Sequence, residues 1–468
     1  MVVQHNLQAM NANRMLNVTT GAQSKSTEKL SSGYKINRAA DDAAGLTISE
    51  KMRKQIRGLD KASSNAQDGV SSVQTAEGAL TEVHSMLQRM NELAVQSANG
   101  TNSSDDRQAI QDEVDQLTTE IDRVAETTKF NEIYLLKGDN SNTKNVYMKG
   151  HDAGLKGTLT DGAKSATFTM DALQAGDKYT IAGKEYTIGS ATTEVTALID
   201  KANTDATADT ANKTVDVNGK TYTITYNAAG NTIADADGTA ITLDNLKKAV
   251  TGGSKVTYGN TSLTAMTDAD TDGVDDDDSS IITKDVAETK IKAELLTANN
   301  IGTVDQAATV EDANTANGKT SYTINKGYAT VADTLSFNLH VGADADMTNK
   351  ITVDIDTMNS ANLGIKGINV KDASGTEATY AIDAIADAVA KVSSQRSALG
   401  AVQNRLEHTI DNLDNISENT SSAESRIRDT DMAKEMVNYS KNNILAQAGQ
   451  SMLAQANQSN QGVLSLLQ

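Results

Sequence analysis

Both ends of this 468-residue chain carry apolar side chains spaced about 3.5 residues apart, and no proline occurs anywhere to interrupt them. Toward the N-terminus Val70, Val73, Leu80, Val83, Leu87 and Met90 advance in steps of 3, 7, 3, 4 and 3. A second run, Ile110, Val114, Leu117, Ile121 and Val124, alternates steps of 4 and 3. The C-terminal block repeats the pattern with Ile385, Val389, Val392, Leu399, Val402, Leu406, Ile410 and Leu413. Such spacing keeps one stripe facing a neighbouring helix, as in a coiled coil. Proline removes a backbone donor and clashes with the preceding turn, so its absence lets these helices run long. Asn99-Gly100 marks a helix end, and Ser103-Ser104-Asp105-Asp106 supplies a capping hydroxyl and first-turn acids for the next start.

The middle of the chain has a different period. Tyr179–Ile181, Lys184–Ile188, Thr214–Val217 and Tyr222–Tyr226 alternate β-branched or aromatic residues with polar ones. Asn218-Gly219 between two of them signals a two-residue hairpin. A degenerate motif recurs as Gly183-Lys-Glu-Tyr-Thr-Ile188, Gly219-Lys-Thr-Tyr-Thr-Ile224 and Gly318-Lys-Thr-Ser-Tyr-Thr-Ile324. Helical stretches such as Glu194–Ala202 and Leu243–Val250 intervene. The expectation is one or two small α+β modules with imperfect internal duplication. A further strand pair, Leu335–Val341 with Lys350–Ile355, closes this region.

Charge divides the chain in the same way. Of a net charge of −20, residues 138–375 carry −13, and the two ends are close to neutral. A pI near 4.7 argues against a nucleic-acid partner, which requires a clustered basic surface. The absence of cysteine excludes disulfides, thiolate nucleophiles and Cys-ligated metals. The first residues lack the charged start and apolar run of a secretory signal, and no uncharged apolar stretch reaches the roughly 18 residues of a bilayer span. The chain is therefore expected to be soluble, with no membrane partner, and exported, if at all, without a cleaved signal. Its length suggests two to four domains.

No enzyme signature emerges. His5, His84, His151, His340 and His408 are scattered and form no HExxH, and phosphate-binding and nucleophile-elbow motifs are missing. One spacing suggests a cation. Asp268, Asp270 and Asp272 precede Gly273, Val274 offers its carbonyl and Asp276 occupies the ninth position of a calcium loop. The twelfth position is Ser279 instead of a bidentate Glu, so residues 268–279 are expected to bind Ca2+ weakly or to form a solvated acidic loop. No cofactor is required.

The extreme ends form a third pattern. Asn442–Gln468 has no charged residue, and the first 13 residues have none if His5 is neutral. Leu7, Met10 and Leu16 at one end, and Ile444, Leu445, Met452, Leu453, Leu464 and Leu467 at the other, are diluted by Gln, Asn, Ser and Ala. Such helices have a stripe to bury yet too little to fold alone. An uncharged outer face suits close packing among many copies, because desolvated charges are costly. These arms are expected to order only by association, with each other and with further copies.

The ends resemble those of bacterial flagellins. Leu30–Asn37 followed by Asp41–Gly45, Ala66–Gly69 and Gln74–Leu80 are similar to that family's N-terminal signature, and Leu87–Asn99 is the most specific stretch. Arg396–Leu406 and Ser425–Ala433 resemble its C-terminal half. The resemblance covers 1–137 and 376–468, extends to 335–375 as a hairpin, and leaves 138–334 unrecognised. It implies an α+β multidomain chain. Residues 1–33 and 424–468 would be coiled-coil arms in a filament core. Residues 34–137 and 335–423 would be a helical bundle with a β-hairpin in the tube wall, and 138–334 a surface-exposed α+β insertion.

By the same resemblance the chain would be exported unfolded by the flagellar type III pathway with a chaperone, and added beneath a cap protein. It would follow a hook–filament junction protein and form a helical homopolymer for motility. The acidic middle fits an outward position, where like charge keeps filaments apart. The resemblance further implies a face read by the flagellin-sensing Toll-like receptor, formed by Arg89, Leu93 and Glu113. Met90-Asn91 departs from the aliphatic–Arg pair usual at that point. The rivals are a junction or cap protein, and a secreted adhesin with a ligand-binding middle. Missing Cys would prevent thiol crosslinking outside the cell, and missing Pro would avoid slow isomerisation at a growing tip. A Pro at Asn142, taken as an exposed loop, should be tolerated, whereas one at Ala401 should abolish assembly.

Overall fold

A computed structural model describes residues 6–268 and 272–465, with side chains as far as Ser459. The chain order is helix α1 (Leu7–Ser32), α2 (Ala43–Ser97) and α3 (Ser104–Thr127), then a β-rich middle containing α4 (Thr192–Ala208), α5 (Leu243–Lys248) and α6 (Lys284–Asn299), then α7 (Ser360–Leu363), α8 (Thr376–Arg428) and α9 (Met432–Ser465). The fold is thus mixed α+β with helical ends, as the two periodicities predict. By contacts it divides into two compact units: residues 1–74, 337–353 and 399–468, and residues 75–336 with 354–398.

In the first unit α1 packs along α9. Strands Leu335–His340 and Lys350–Ile355 form a pair whose Leu339, Val341 and Ile351 pack with Ala66, Val70, Val402, Leu406 and Ile410. Gly69 makes the seat for this hairpin, since a Cβ there would stand 2.2 Å from Leu339 Cδ1. In the second unit the α2 and α3 stripes are buried through Leu80, Val83, Leu87, Met90, Ile110, Val114 and Ile121. Ser103 caps α3 in a reciprocal capping box with Asp106. The expected helix break at Asn99-Gly100 is therefore observed.

The middle contains two α+β modules. Strands Thr158–Asp161, Ser165–Asp171, Lys319–Asn325 and Thr309–Val310 share a sheet, with Asn314–Ala316 beside Lys319–Asn325. Phe168, Tyr322 and Ile324 from it share a core with Ile291 and Leu295 of α6. A six-stranded sheet, ordered Ala240–Ile241, Thr232–Asp235, Lys220–Thr225, Lys213–Val217, Lys255–Tyr258 and Thr261–Thr264, buries Val215, Ile224 and Val256 against Val195 and Ile199 of α4 and Leu246 of α5. The middle is reached by Asp139–Tyr147 and left by Tyr328–Asp333, which pair antiparallel. Asn142, expected in a loop, instead lies in the first of these strands, at the irregularity where the register shifts between Thr143 and Asp139.

The recurring motif has a single structural meaning. Each copy begins with the second residue of a two-residue turn in which both residues are left-handed: Ala182 (φ 50°) and Gly183 (77°), Asn218 (53°) and Gly219 (77°), Asn317 (54°) and Gly318 (74°). Such turns match the twist of the flanking strands. The final Ile of each copy, Ile188, Ile224 and Ile324, is buried.

Candidate functional site

The arm face is built from residues that a single subunit fails to bury. Asn6 caps α1 by accepting from the Ala9 amide at 2.9 Å, and its Nδ2 donates to the Ala456 carbonyl of α9 at 3.0 Å. Ala446 is buried, and Leu16 and Leu453 are half-buried. In contrast Leu7, Met10, Ile444, Leu445 and Met452 stand 50–69% exposed. Leu464 and Leu467 lie outside the described side chains. A groove of about 530 Å³ between the helices is lined by Ala12, Met15, Met452 and Ala456 among glutamines. Small residues bring the two arms together, and the larger apolar ones remain as an open stripe.

The root of the arms is held by backbone and stacking. Tyr34 and Asp429 form an antiparallel bridge, flanked by Lys35 N–H to Arg428 O at 2.6 Å and Thr430 N–H to Gly33 O at 2.9 Å. The Arg428 guanidinium lies 4.7 Å from the Tyr34 ring centroid and donates to Glu50 Oε1 at 2.8 Å. That donated bond holds the Glu50 carboxyl below its ordinary range.

In the second unit, Arg89 Nε donates to Glu113 Oε1 at 2.9 Å, joining α2 to α3, and a second nitrogen reaches Glu92 at 3.2 Å. The hydrogen bonds it donates, to Glu113 first and then to Glu92, raise the Arg89 pKa. Arg89 and Glu113 therefore form one exposed polar pair, with side chains 50% and 44% exposed. Leu93 does not join them on the surface. It is 1% exposed, so it supports the face from within. Its place in the buried phase of α2, one turn beyond Met90, carries that signal in the sequence.

Sequence reading misses the polar groups that fasten α3. Arg107 is buried and donates to the carbonyls of Ser97 (3.3 Å) and Ala373 (2.8 Å). Gln111 donates to Ile368 O at 2.9 Å while accepting from Val370 N–H at 2.7 Å, and Ser97 Oγ also donates to Val370 O. Both side chains stand in phase with Ile110 and Val114, the one clue available. A separate cavity of about 300 Å³ is lined by Met148, Ile301 and Leu363 with Lys149, His151, Asp387 and Lys391. Lys149 pairs with Asp387 at 2.9 Å. Burial lowers the Lys391 pKa, against the pull of Asp387 and Asp356.

The acidic loop is held by its own carboxylates. Asp268 Oδ2 accepts from Gly273 N–H at 3.1 Å, and Asp272 Oδ1 from Val274 N–H at 2.8 Å. Val274 bridges to Ile282, and the Asp276 amide donates to Thr267 O at 2.7 Å. Asp275, absent from the calcium pattern, is the organiser, accepting from the amides of Thr267, Asp277 and Asp278. Asp270 lies outside the described residues, and among those described no three acidic or His side chains gather as a metal site. No described helix is long and apolar enough to cross a membrane.

Helices from both chain ends, an unburied apolar stripe along their arms and an inserted α+β region define a self-assembling filament subunit. Residues 3–141 match the family model of the bacterial flagellin N-terminal helical region, and residues 382–467 that of the C-terminal helical region. Flagellin of Clostridium tyrobutyricum is 40% identical, spanning 98% of this chain and 100% of that protein. Flagellin B of Vibrio anguillarum is 36% identical over 99% of each. FliC from Burkholderia pseudomallei, a solved structure, aligns with 72% of this chain and 99% of its own at 18% identity and a TM-score of 0.29. The chain belongs to the flagellin family, as a structural subunit of the bacterial flagellar filament.

Proposed function

We propose that this subunit travels unfolded through the flagellar type III channel with an export chaperone, emerges beneath a cap protein, and assembles beyond the hook–filament junction by burying its arm stripe against other copies. The observation that carries this reading is the exposure of Leu7, Met10, Ile444, Leu445 and Met452 on paired helices. Association would remove those side chains from water, worth about 25 cal/mol per Å² of apolar surface. The test is polymerisation under precipitant followed by negative-stain microscopy. The parent chain should give long filaments, and a chain with Met10→Gln, Ile444→Gln and Met452→Gln should remain monomeric. Filaments from both would overturn it.

The Arg89–Glu113 face supports a second part of the reading, that the flagellin-sensing Toll-like receptor binds the monomer there. Monomer should bind and assembled filament should not. The middle region supports a third, weak Ca2+ binding at 268–279, because Asp268 Oδ1 is buried without a hydrogen-bond partner among the described residues. Calorimetric titration should detect heat that Asp268→Asn removes. Equal heat from both chains would place the ion elsewhere.

A further inference from the structure

The chain contains three Asn-Gly dipeptides, at 99–100, 218–219 and 317–318, and the structure treats them unequally. Asparagine before glycine is prone to cyclise, because the glycine nitrogen can reach the side-chain carbonyl with no Cβ in the way. That reaction needs a free glycine N–H and a side-chain amide able to rotate.

The turn at Asn218 denies both. Gly219 N–H donates to Asp216 Oδ1 at 2.8 Å. Asn218 Oδ1 accepts from Lys255 N–H at 2.7 Å, and its Nδ2 donates to Ser254 Oγ at 3.2 Å. The Asn99 side chain has a single tie among the described residues, accepting from Thr101 N–H at 3.3 Å. The turn at Asn317 shares its backbone with that at Asn218, with φ values of 54° and 74° against 53° and 77°. Yet Asn317 is exposed, and among the described residues neither its side chain nor the Gly318 N–H has a hydrogen-bond partner. Thr315 occupies the place that Asp216 holds in the other turn, and its hydroxyl is turned to Thr320 Oγ1 at 2.9 Å.

We infer that Asn317 is the site of spontaneous deamidation in this protein, and that Asp216 protects Asn218. In the first step Gly318 N gives its proton to solvent base and bonds to Asn317 Cγ, while the Cγ–Nδ2 bond breaks and ammonia leaves. The resulting succinimide then takes up one water at either ring carbonyl, giving aspartate or isoaspartate. No oxidant or reductant is involved. Each event adds a negative charge, and the isoaspartate product inserts one extra backbone carbon into the two-residue turn.

The experiment is peptide mapping of the full chain during incubation at mildly alkaline pH, with isoaspartate and ammonia as readouts. Position 317 should convert first, 99 next and 218 last. Each hydrogen bond that must break slows the reaction by up to about tenfold. The folded Asp216→Ala chain should deamidate faster at 218 and unchanged at 317. In denaturant the three sites should converge. Conversion at 218 as fast as at 317 in the folded chain, or a ranking that persists in denaturant, would overturn the inference.

Discussion

The Arg428 guanidinium lies over the Tyr34 ring, 4.7 Å from its centroid, at the short bridge of Tyr34 with Asp429 that roots the two arms. Arg428→Ala removes the stack, worth about 1 kcal/mol, and the bond to Glu50. Amide hydrogen exchange at Lys35 and Thr430 should quicken, with little change in the α+β modules. Unchanged protection there would show that the backbone bridge suffices.

Arg89 and Leu93 require different tests. Arg89→Ala removes an exposed pair and should leave thermal stability unchanged while receptor binding falls. Leu93→Ala opens a core cavity and should cost about 2–5 kcal/mol, so its binding loss would be uninformative. Leu93→Met keeps the volume and should bind as the parent does. A binding defect in Leu93→Met at parental stability would place Leu93 in direct contact after all.

Ala182 occupies a left-handed position that its two counterparts fill with Asn218 and Asn317. That conformation costs most L-residues about 1–2 kcal/mol, and Asn less. Ala182→Asn should stabilise the module by about 0.5–1 kcal/mol, seen as a higher thermal midpoint in tyrosine fluorescence. No tryptophan interferes with that signal. A lowered midpoint would mean that the methyl group contributes packing that outweighs the strain.

Asp356 gives the second unit a response to acid. Burial raises its carboxyl pKa, but Lys144 at 2.8 Å and Thr334 at 2.6 Å outweigh it and hold the pKa below 3.8. A depressed folded pKa contributes stability above the ordinary value, lost as pH falls through the folded one. Lys144→Met should bring acid unfolding to higher pH. An unmoved acid transition would assign it to other carboxylates.

Proline placement separates two backbone environments. Pro at Ala401, within α8, removes a helical hydrogen bond at a cost of about 3 kcal/mol and should prevent filaments. Pro at Asn142 falls at a strand irregularity, where the ladder is already broken, and filaments should form. Filaments from the Ala401 variant would show that α8 tolerates a kink.

The helices were legible because their stripes are long and periodic, and the capping residues at Ser103 and Asp106 fixed the α2–α3 break. The hairpins were legible from Asn218-Gly219 and its repeats. What escaped has a physical reason. Sheet order depends on long-range pairing, so Ser165–Asp171 beside Lys319–Asn325 has no local signature. The α6 stripe of Ala287, Ile291, Leu295 and Ala298 stands in helical phase, but half of it is alanine, a weak apolar signal. Arg107 and Gln111 read as surface residues, since burial by backbone acceptors from 368–373 is invisible in the sequence. Asp275 was hidden by the more conspicuous alternation of Asp268, Asp270 and Asp272.

The paired strands Asp139–Tyr147 and Tyr328–Asp333 bring the outgoing and returning chain to neighbouring positions, closing with Tyr147 opposite Tyr328, rings 5.4 Å apart. Adjacent strands are about 4.8 Å apart whatever their far ends carry. The strand pair is thus a socket: 148–327 could be exchanged for a two-residue turn or an unrelated domain with adjacent termini without altering the distance the rest of the chain must close.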